Sequence, residues 1–220
     1  MRRWGPIVIV VVLLSATAVA FATTERQKLE KTPFSVRQVT RAFSPKRAAA
    51  TIRLRLFHPH LVTVEILGAR DRPIATLVRE QRVEPGTVEF HWHATAPDGV
   101  YTPRVTLDTG REFTLPNQIV VDSVAPTAKL VSYRPHVLRR SAKPNITIAY
   151  RLSESAHAIV YVNGRRVVVS GANNRRDSVN WSVRRFGVRL RPGRYRLQLA
   201  AVDLAGNIGP RTRVFVVRVR

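Results

Sequence analysis

The chain contains no cysteine, which excludes a disulfide framework, a thiolate metal site and a cysteine nucleophile. It also lacks a nucleophile elbow, a glycine-rich phosphate loop and a His-Glu-x-x-His pair. Acidic residues are few, 14 Asp and Glu against 37 Lys and Arg, for a net charge of +23. The shortage is local. Residues 127–220 carry twenty Lys and Arg but only three acids, Glu154, Asp177 and Asp203. Residues 43–126 carry ten cations against nine acids. A GC-rich genome would favour Arg over Lys, but it would not empty one half of the chain of carboxylates.

Composition is otherwise that of a folded protein, with 45% hydrophobic residues over 220 positions, enough for one or two domains. Arg2 and Arg3 precede a charge-free apolar run from Pro6 to Ala22. As a helix its 17 residues would span about 26 Å, the short limit for a bilayer core. The run ends Ala20-Phe21-Ala22, a signal-peptidase pattern. Residues 1–22 are therefore expected to be either a cleaved signal or a retained transmembrane helix. Both readings place the rest of the chain outside the cytoplasm, anchored by residues 6–22 or released after cleavage near Ala22. Residues 23–42 are polar and mixed in charge, and read as a linker.

From Phe43 onward the periodicity is that of strands. Ile52, Leu54 and Leu56 alternate with Arg53 and Arg55, and Val88, Phe90 and Trp92 share a face. Further strand-like runs are Leu61–Leu67, Pro73–Val78, Val100–Leu107 and Arg111–Leu115. Beyond residue 123 they recur at Ala128–Tyr133, Asn145–Leu152, Ala156–Val162, Arg165–Ser170, Ser178–Val183, Tyr195–Val202 and Val214–Val219. Asn163-Gly164 between two of these is a strong hairpin signal. Short strands with frequent turns indicate antiparallel sandwiches. The halves align loosely at a period of about 95 residues. Thr87–Trp92 corresponds to Ser178–Trp181, and Pro97-Asp98-Gly99-Val100-Tyr101 to Arg191-Pro192-Gly193-Arg194-Tyr195. The expected fold is all-β, two tandem sandwiches at 43–122 and 123–220, preceded by the N-terminal apolar helix.

Several of these residues resemble bacterial immunoglobulin-like modules, especially that of the flagellar hook-capping family. They are Phe43-Ser44-Pro45, Pro97-Asp98-Gly99-x-Tyr101, the joint Asp122-Ser123-Val124-Ala125-Pro126, Leu152-Ser153-Glu154 and Asp203-Leu204-Ala205-Gly206-Asn207. The resemblance implies Ig-like sandwiches. It does not imply flagellar assembly, because no hook-binding region is matched. The acidic turn usual after Phe-Ser-Pro is here Lys46-Arg47-Ala48, which has no carboxylate for calcium.

The chain has two His-x-His motifs, His58-Pro59-His60 between strands and His91-Trp92-His93. Glu89, His91 and His93 fall on one strand face and form the candidate metal set. With Trp92 in the core both His simply face solvent, so no metal is expected. Asp98 and Asp203 lie in turns, where Asp caps its own backbone. No paired carboxylates suggest acid–base work, so no enzyme and no cofactor are expected. The Arg excess carries the functional expectation. Arg165, Arg166, Arg184, Arg185, Arg194 and Arg196 are candidate anion-binding residues, since Arg holds phosphate and carboxylate bidentately. Partners outside the cytoplasm would be anionic lipid, wall polymer or acidic protein. The chain is thus expected to be a non-catalytic cell-envelope protein acting in structural support, adhesion or anion binding. The alternatives are an accessory subunit of an envelope enzyme or assembly, and a basic nucleic-acid-binding protein. The last is disfavoured by the export segment and by the lack of any helix-turn-helix, zinc or aromatic-interleaved basic motif.

Overall fold

The computed structural model describes residues 32–139, 145–171, 173–182 and 191–220. The expected signal or membrane segment and the first part of the expected linker lie outside them. Among the described residues no helix is long and apolar enough to cross a membrane.

The first unit is built from β1 (Phe34–Val39), β2 (Ala42–Phe43), β3 (Ala50–Leu56), β4 (His60–Leu67), β5 (Pro73–Val83), β6 (Gly86–Trp92), β7 (Gly99–Leu107), β8 (Glu112–Thr114) and β9 (Ile119–Val121). One sheet has the order β1-β3-β6, the other β2-β9-β7-β4-β5 with β8 on β7. Period-two patterning places the core: Ala50, Ile52, Leu54 and Leu56 of β3 face Val62, Val64 and Ile66 of β4, all buried. Trp92 closes one end edge-on to Phe43 and Tyr101, with ring centroids 5.7 and 5.1 Å away.

The second unit repeats the plan with β10 (Ala128–Arg134), β11 (Val137–Leu138), β12 (Asn145–Leu152), β13 (His157–Val162), β14 (Arg165–Val169), β15 (Arg176–Ser182), β16 (Gly193–Val202) and β17 (Phe215–Val219). Its sheets are β10-β12-β15 and β11-β17-β16-β13-β14. Its core, from Leu138 to Val219, is separate from the first. In each unit a short strand runs parallel to the last one, β2 beside β9 and β11 beside β17, while the other pairs are antiparallel. Each also has a tyrosine that turns back on its own chain. The Tyr101 hydroxyl donates to the Pro97 carbonyl at 2.7 Å, and the Tyr195 hydroxyl to that of Arg191 at 2.9 Å. These tyrosine corners, on two face-packed antiparallel sheets, define immunoglobulin-like sandwiches. They fall at the positions paired by the internal repeat, as do the buried Trp92 and Trp181.

One expectation is corrected. Residues 34–42, expected to be linker, belong to the sandwich. Phe34–Val39 pairs antiparallel with β3, and Phe34, Val39 and Phe43 are core residues. The sandwich begins at Phe34 rather than Phe43. A bulge between Val36 and Gln38 shifts the inward position from residue 38 to Val39, so the alternation is broken in the sequence. Strand β5 also runs on to Val83, past Val78 where its apolar pattern ends, and the short strands β2, β9 and β11 are additional.

The two units meet at the joint 122–126. Asn207 Nδ2 donates to the Asp122 carbonyl at 2.8 Å, and Ser44 N donates to the Ala205 carbonyl at 3.2 Å. Asp98 does not cap its own turn. It accepts from the Ser123 amide at 3.0 Å and from the Ser123 hydroxyl at 2.9 Å, pinning the joint to the first unit. On the other side Thr127 N donates to Ser153 Oγ at 2.9 Å, and Ser153 N to the Thr127 carbonyl at 3.0 Å. Burial beside this joint pushes the Glu154 carboxyl above its ordinary range, and repulsion from Asp122 and Asp203 pushes the same way, while Arg175 opposes both. A carboxyl whose folded value is raised is disfavoured once ionised. Stability is therefore lost as pH rises from the ordinary Glu range through the raised one. Glu154→Gln should remove that loss, so that the melting temperature changes less across this window than in the wild type. An unchanged pH dependence would reject this assignment.

Candidate anion-binding surface

In the first unit, charges of opposite sign face each other across strands. Arg53 on β3 lies opposite Glu89 on β6, with Nη2 to Oε1 at 2.6 Å. Glu65 on β4 lies opposite Arg104 on β7, with Oε2 to Nη2 at 2.6 Å, and Glu112 approaches Arg104 Nη1 at 3.3 Å. The hydrogen bond from its guanidinium to Glu65 raises the Arg104 pKa, and the charge of Glu112 adds to this.

In the second unit the same cross-strand geometry brings like charges together. Lys129 on β10 is directly opposite Arg151 on β12, and Arg151 is directly opposite Arg176 on β15. All three are exposed. Alternation dictates this, because Leu130, Leu152 and the inward residues of β15 take the core side. Arg194 on β16 is likewise opposite Arg218 on β17, both exposed. Like charges directly opposite cost about 0.2–1 kcal/mol per pair where opposite charges would gain as much. Among the described residues every ion pair lies in the first unit. No described Lys or Arg of the second unit forms a salt bridge with a carboxylate, and Arg175 acts on one at longer range, that of Glu154.

The sequence-derived candidates divide as follows. Arg194 and Arg196 project from the outer face of β16, alternating with Tyr195 and the buried Leu197 on the core side. Arg166 on β14 pairs with Tyr161, which pairs in turn with Gln198, so it joins the same outer face. Arg211 stacks on the Tyr161 ring, its guanidinium carbon 3.9 Å from the centroid. Arg218 and Arg194, with His136 and Val137, line a surface cleft of about 430 Å³. Arg165 is exposed beside the Asn163-Gly164 turn, opposite Val162. Arg184 and Arg185 lie outside the described residues.

The candidate metal set is not assembled. Glu89 is held by Arg53, whose Nε donates to Oε1 at 2.7 Å. His91 Nε2 is 3.8 Å from Glu89 Oε2, its Nδ1 lies 3.2 Å from Thr51 Oγ1, and His93 falls past the end of β6. No group of three or more His, Asp or Glu able to hold a metal exists among the described residues. In the other His-x-His of the sequence, His58-Pro59-His60, His60 is engaged too, its Nδ1 2.8 Å from Asp108 Oδ1. That hydrogen bond holds the Asp108 carboxyl below its usual range.

A second cationic surface was not among the sequence-derived candidates. Lys129, Arg151, Arg175 and Arg176, with Thr127, Leu152 and Ser153, line a cleft of about 740 Å³ beside the joint. Sequence spacing shows only the neighbours Arg175-Arg176. The row becomes visible once strand register is known.

No protein-family model and no curated protein matches the chain. Solved structures similar to it include fibronectin(III)-like modules of Clostridium thermocellum CbhA, with a TM-score of 0.48, 14% identity and coverage of 85% of this chain and 94% of that one. Domains FN1-FN3 of chicken CNTN1 give a TM-score of 0.48 and 16% identity, covering 84% of this chain and 64% of that one. The D0-D1 domain of intimin gives 0.33 and 11%, covering 85% and 98%. Likeness at this level is no more than one of fold and says nothing of ligand or partner. The class itself, an immunoglobulin-like tandem sandwich, rests on the strand order and tyrosine corners above. The hook-capping resemblance does not extend to a demonstrated family.

Proposed function

We propose that this chain is a non-catalytic, exported tandem Ig-like protein whose second unit binds anionic components of the cell envelope. The observation that carries this reading is the contrast in cross-strand pairing. The first unit sets Arg against Glu across neighbouring strands of both its sheets, while the second sets cation against cation on both of its own. A composition bias toward Arg explains more cations, but not the shortage of acids in this half of the chain. Repulsion across the second unit is relieved when an anion binds, so part of the binding free energy comes from that relief. Export rests on the Arg2-Arg3 and Pro6–Ala22 pattern.

The test is salt dependence of binding by the full chain to an anionic wall polymer or anionic vesicles. Four contacts of the phosphate type would weaken binding roughly 50-fold between ~50 and ~200 mM salt. Replacing Arg166, Arg194 and Arg196 by Gln should weaken it further at low salt. Binding that ignores salt, or no binding at 50 mM, would reject the proposal.

A further inference from the structure

Resting on that reading of the second unit, we infer that the row Lys129–Arg151–Arg176 is a distinct binding site for phosphate groups carried on a linear polymer. The row crosses three adjacent strands, which are spaced by about 4.8 Å, so three positive charges lie within roughly 10 Å. The nearest acid in sequence, Asp177, points the other way. Its Oδ1 accepts from the Ser178 amide at 2.7 Å, and its Oδ2 from Asn174 Nδ2 at 3.4 Å. At the end of the row Arg175 is fixed by donating to the Ser153 carbonyl at 2.9 Å. The Ser153 hydroxyl accepts the Thr127 amide, which leaves its own proton for a ligand oxygen. The lining of the cleft therefore offers guanidinium forks, an ammonium and a hydroxyl and includes no carboxylate, although Glu154, next to Ser153 in the chain, acts electrostatically on Arg175.

Charge density selects the ligand. A row this tight needs an anion with more than one charge within two strand spacings. A phosphate chain supplies that on every side. A polysaccharide with one carboxylate per ring spaces its charges by a whole sugar unit, so fewer reach the row. The site also sits in a cleft beside the joint and runs across the strands. That shape admits a thread more readily than the flat face of a bilayer. Arg adds specificity here because its fork meets phosphate oxygens bidentately.

The experiment uses the full chain with long-chain inorganic polyphosphate as probe. It compares wild type with Lys129→Gln/Arg151→Gln/Arg176→Gln and with a control of equal charge loss in the first unit, Lys46→Gln/Arg55→Gln/Arg79→Gln. All six side chains are exposed. The row variant should lose at least about tenfold in affinity, with the salt slope falling by roughly 2, the value for three single-strand phosphate contacts. Because it removes like-charge pairs, its melting temperature should be no lower than wild type. The control should bind within about threefold of wild type.

Equal losses in the two variants would overturn the site, since net charge alone would then act. Wild-type binding undiminished in the row variant would overturn the site but leave anion binding elsewhere on the second unit intact. No wild-type binding at low salt would overturn both. Polygalacturonate bound as tightly at equal charge concentration would overturn the phosphate assignment. Phosphatidylglycerol vesicles bound as tightly would overturn the polymer assignment.

Discussion

Gly209→Ala is expected to destabilise the protein by about 3 kcal/mol, an effect seldom produced by adding one methyl group. Gly209 is buried against the joint, where a Cβ would overlap the Pro126 carbonyl oxygen and lie 2.9 Å from its carbon. Neither side yields easily. The Gly209 amide is bonded to the Ala201 carbonyl at 2.9 Å, and Pro126 is buried with its φ fixed by the ring. The obstacle is main chain, so no rotamer change relieves it. The melting temperature should fall by about 10 °C or more. Small-angle scattering should also show a larger radius of gyration as the two units separate. Gly206 provides the contrast. It has φ of +84° and open space around its Cβ position, so Gly206→Ala should cost only the left-handed penalty of about 1–2 kcal/mol. Equal effects at the two positions would show that Gly209 is not wedged against the joint.

Asp203→Ala should be comparably damaging, by roughly 3 kcal/mol, because it leaves buried donors without acceptors. Asp203 is 8% exposed and Asn207 5%. Asp203 Oδ1 accepts the Asn207 amide at 2.8 Å, and Oδ2 accepts Asn207 Nδ2 at 2.9 Å. The same Nδ2 reaches the Asp122 carbonyl of the joint. One carboxylate thus orients the amide that ties the two units together. Asp203→Asn keeps one acceptor but sets an amide NH₂ against that of Asn207, so its effect should be intermediate. Chemical denaturation of the three proteins gives the ranking. An Asn variant as stable as wild type would show that the charge and the second acceptor are dispensable.

The strands most legible in the sequence were those with regular alternation between one buried and one exposed face. β3, β7, β12 and β16 read directly from Ile52-Arg53-Leu54-Arg55-Leu56 and its equivalents. The tyrosine corners were marked by Pro97-Asp98-Gly99-x-Tyr101 and its partner ending in Tyr195. The segments missed had no such signature. β1 is interrupted by a bulge, and β2 and β11 are two residues long, too short for a period. β9 is Ile-Val-Val, a run with no alternation. At the candidate site, the charge imbalance and the outward Arg194 and Arg196 were legible. The row Lys129–Arg151–Arg176 was not, because its members stand 22 and 25 positions apart and become neighbours only through strand pairing. Spacing alone could not decide the His-x-His motifs for the complementary reason. Each has a partner from another strand or loop, Thr51 for His91 and Asp108 for His60, that spacing could not reveal.

The central claim is that the second unit, and not the first, receives anions on surfaces where cations face cations. Amide chemical-shift mapping of the full chain during titration with polyphosphate tests it most directly. Perturbations are expected at Lys129, Arg151, Arg175 and Arg176, with weaker ones at Arg194 and Arg218, and none across β3, β6 and β7 where Arg53 and Arg104 already hold carboxylates. Shifts centred on the first unit, or spread evenly over both, would contradict the account.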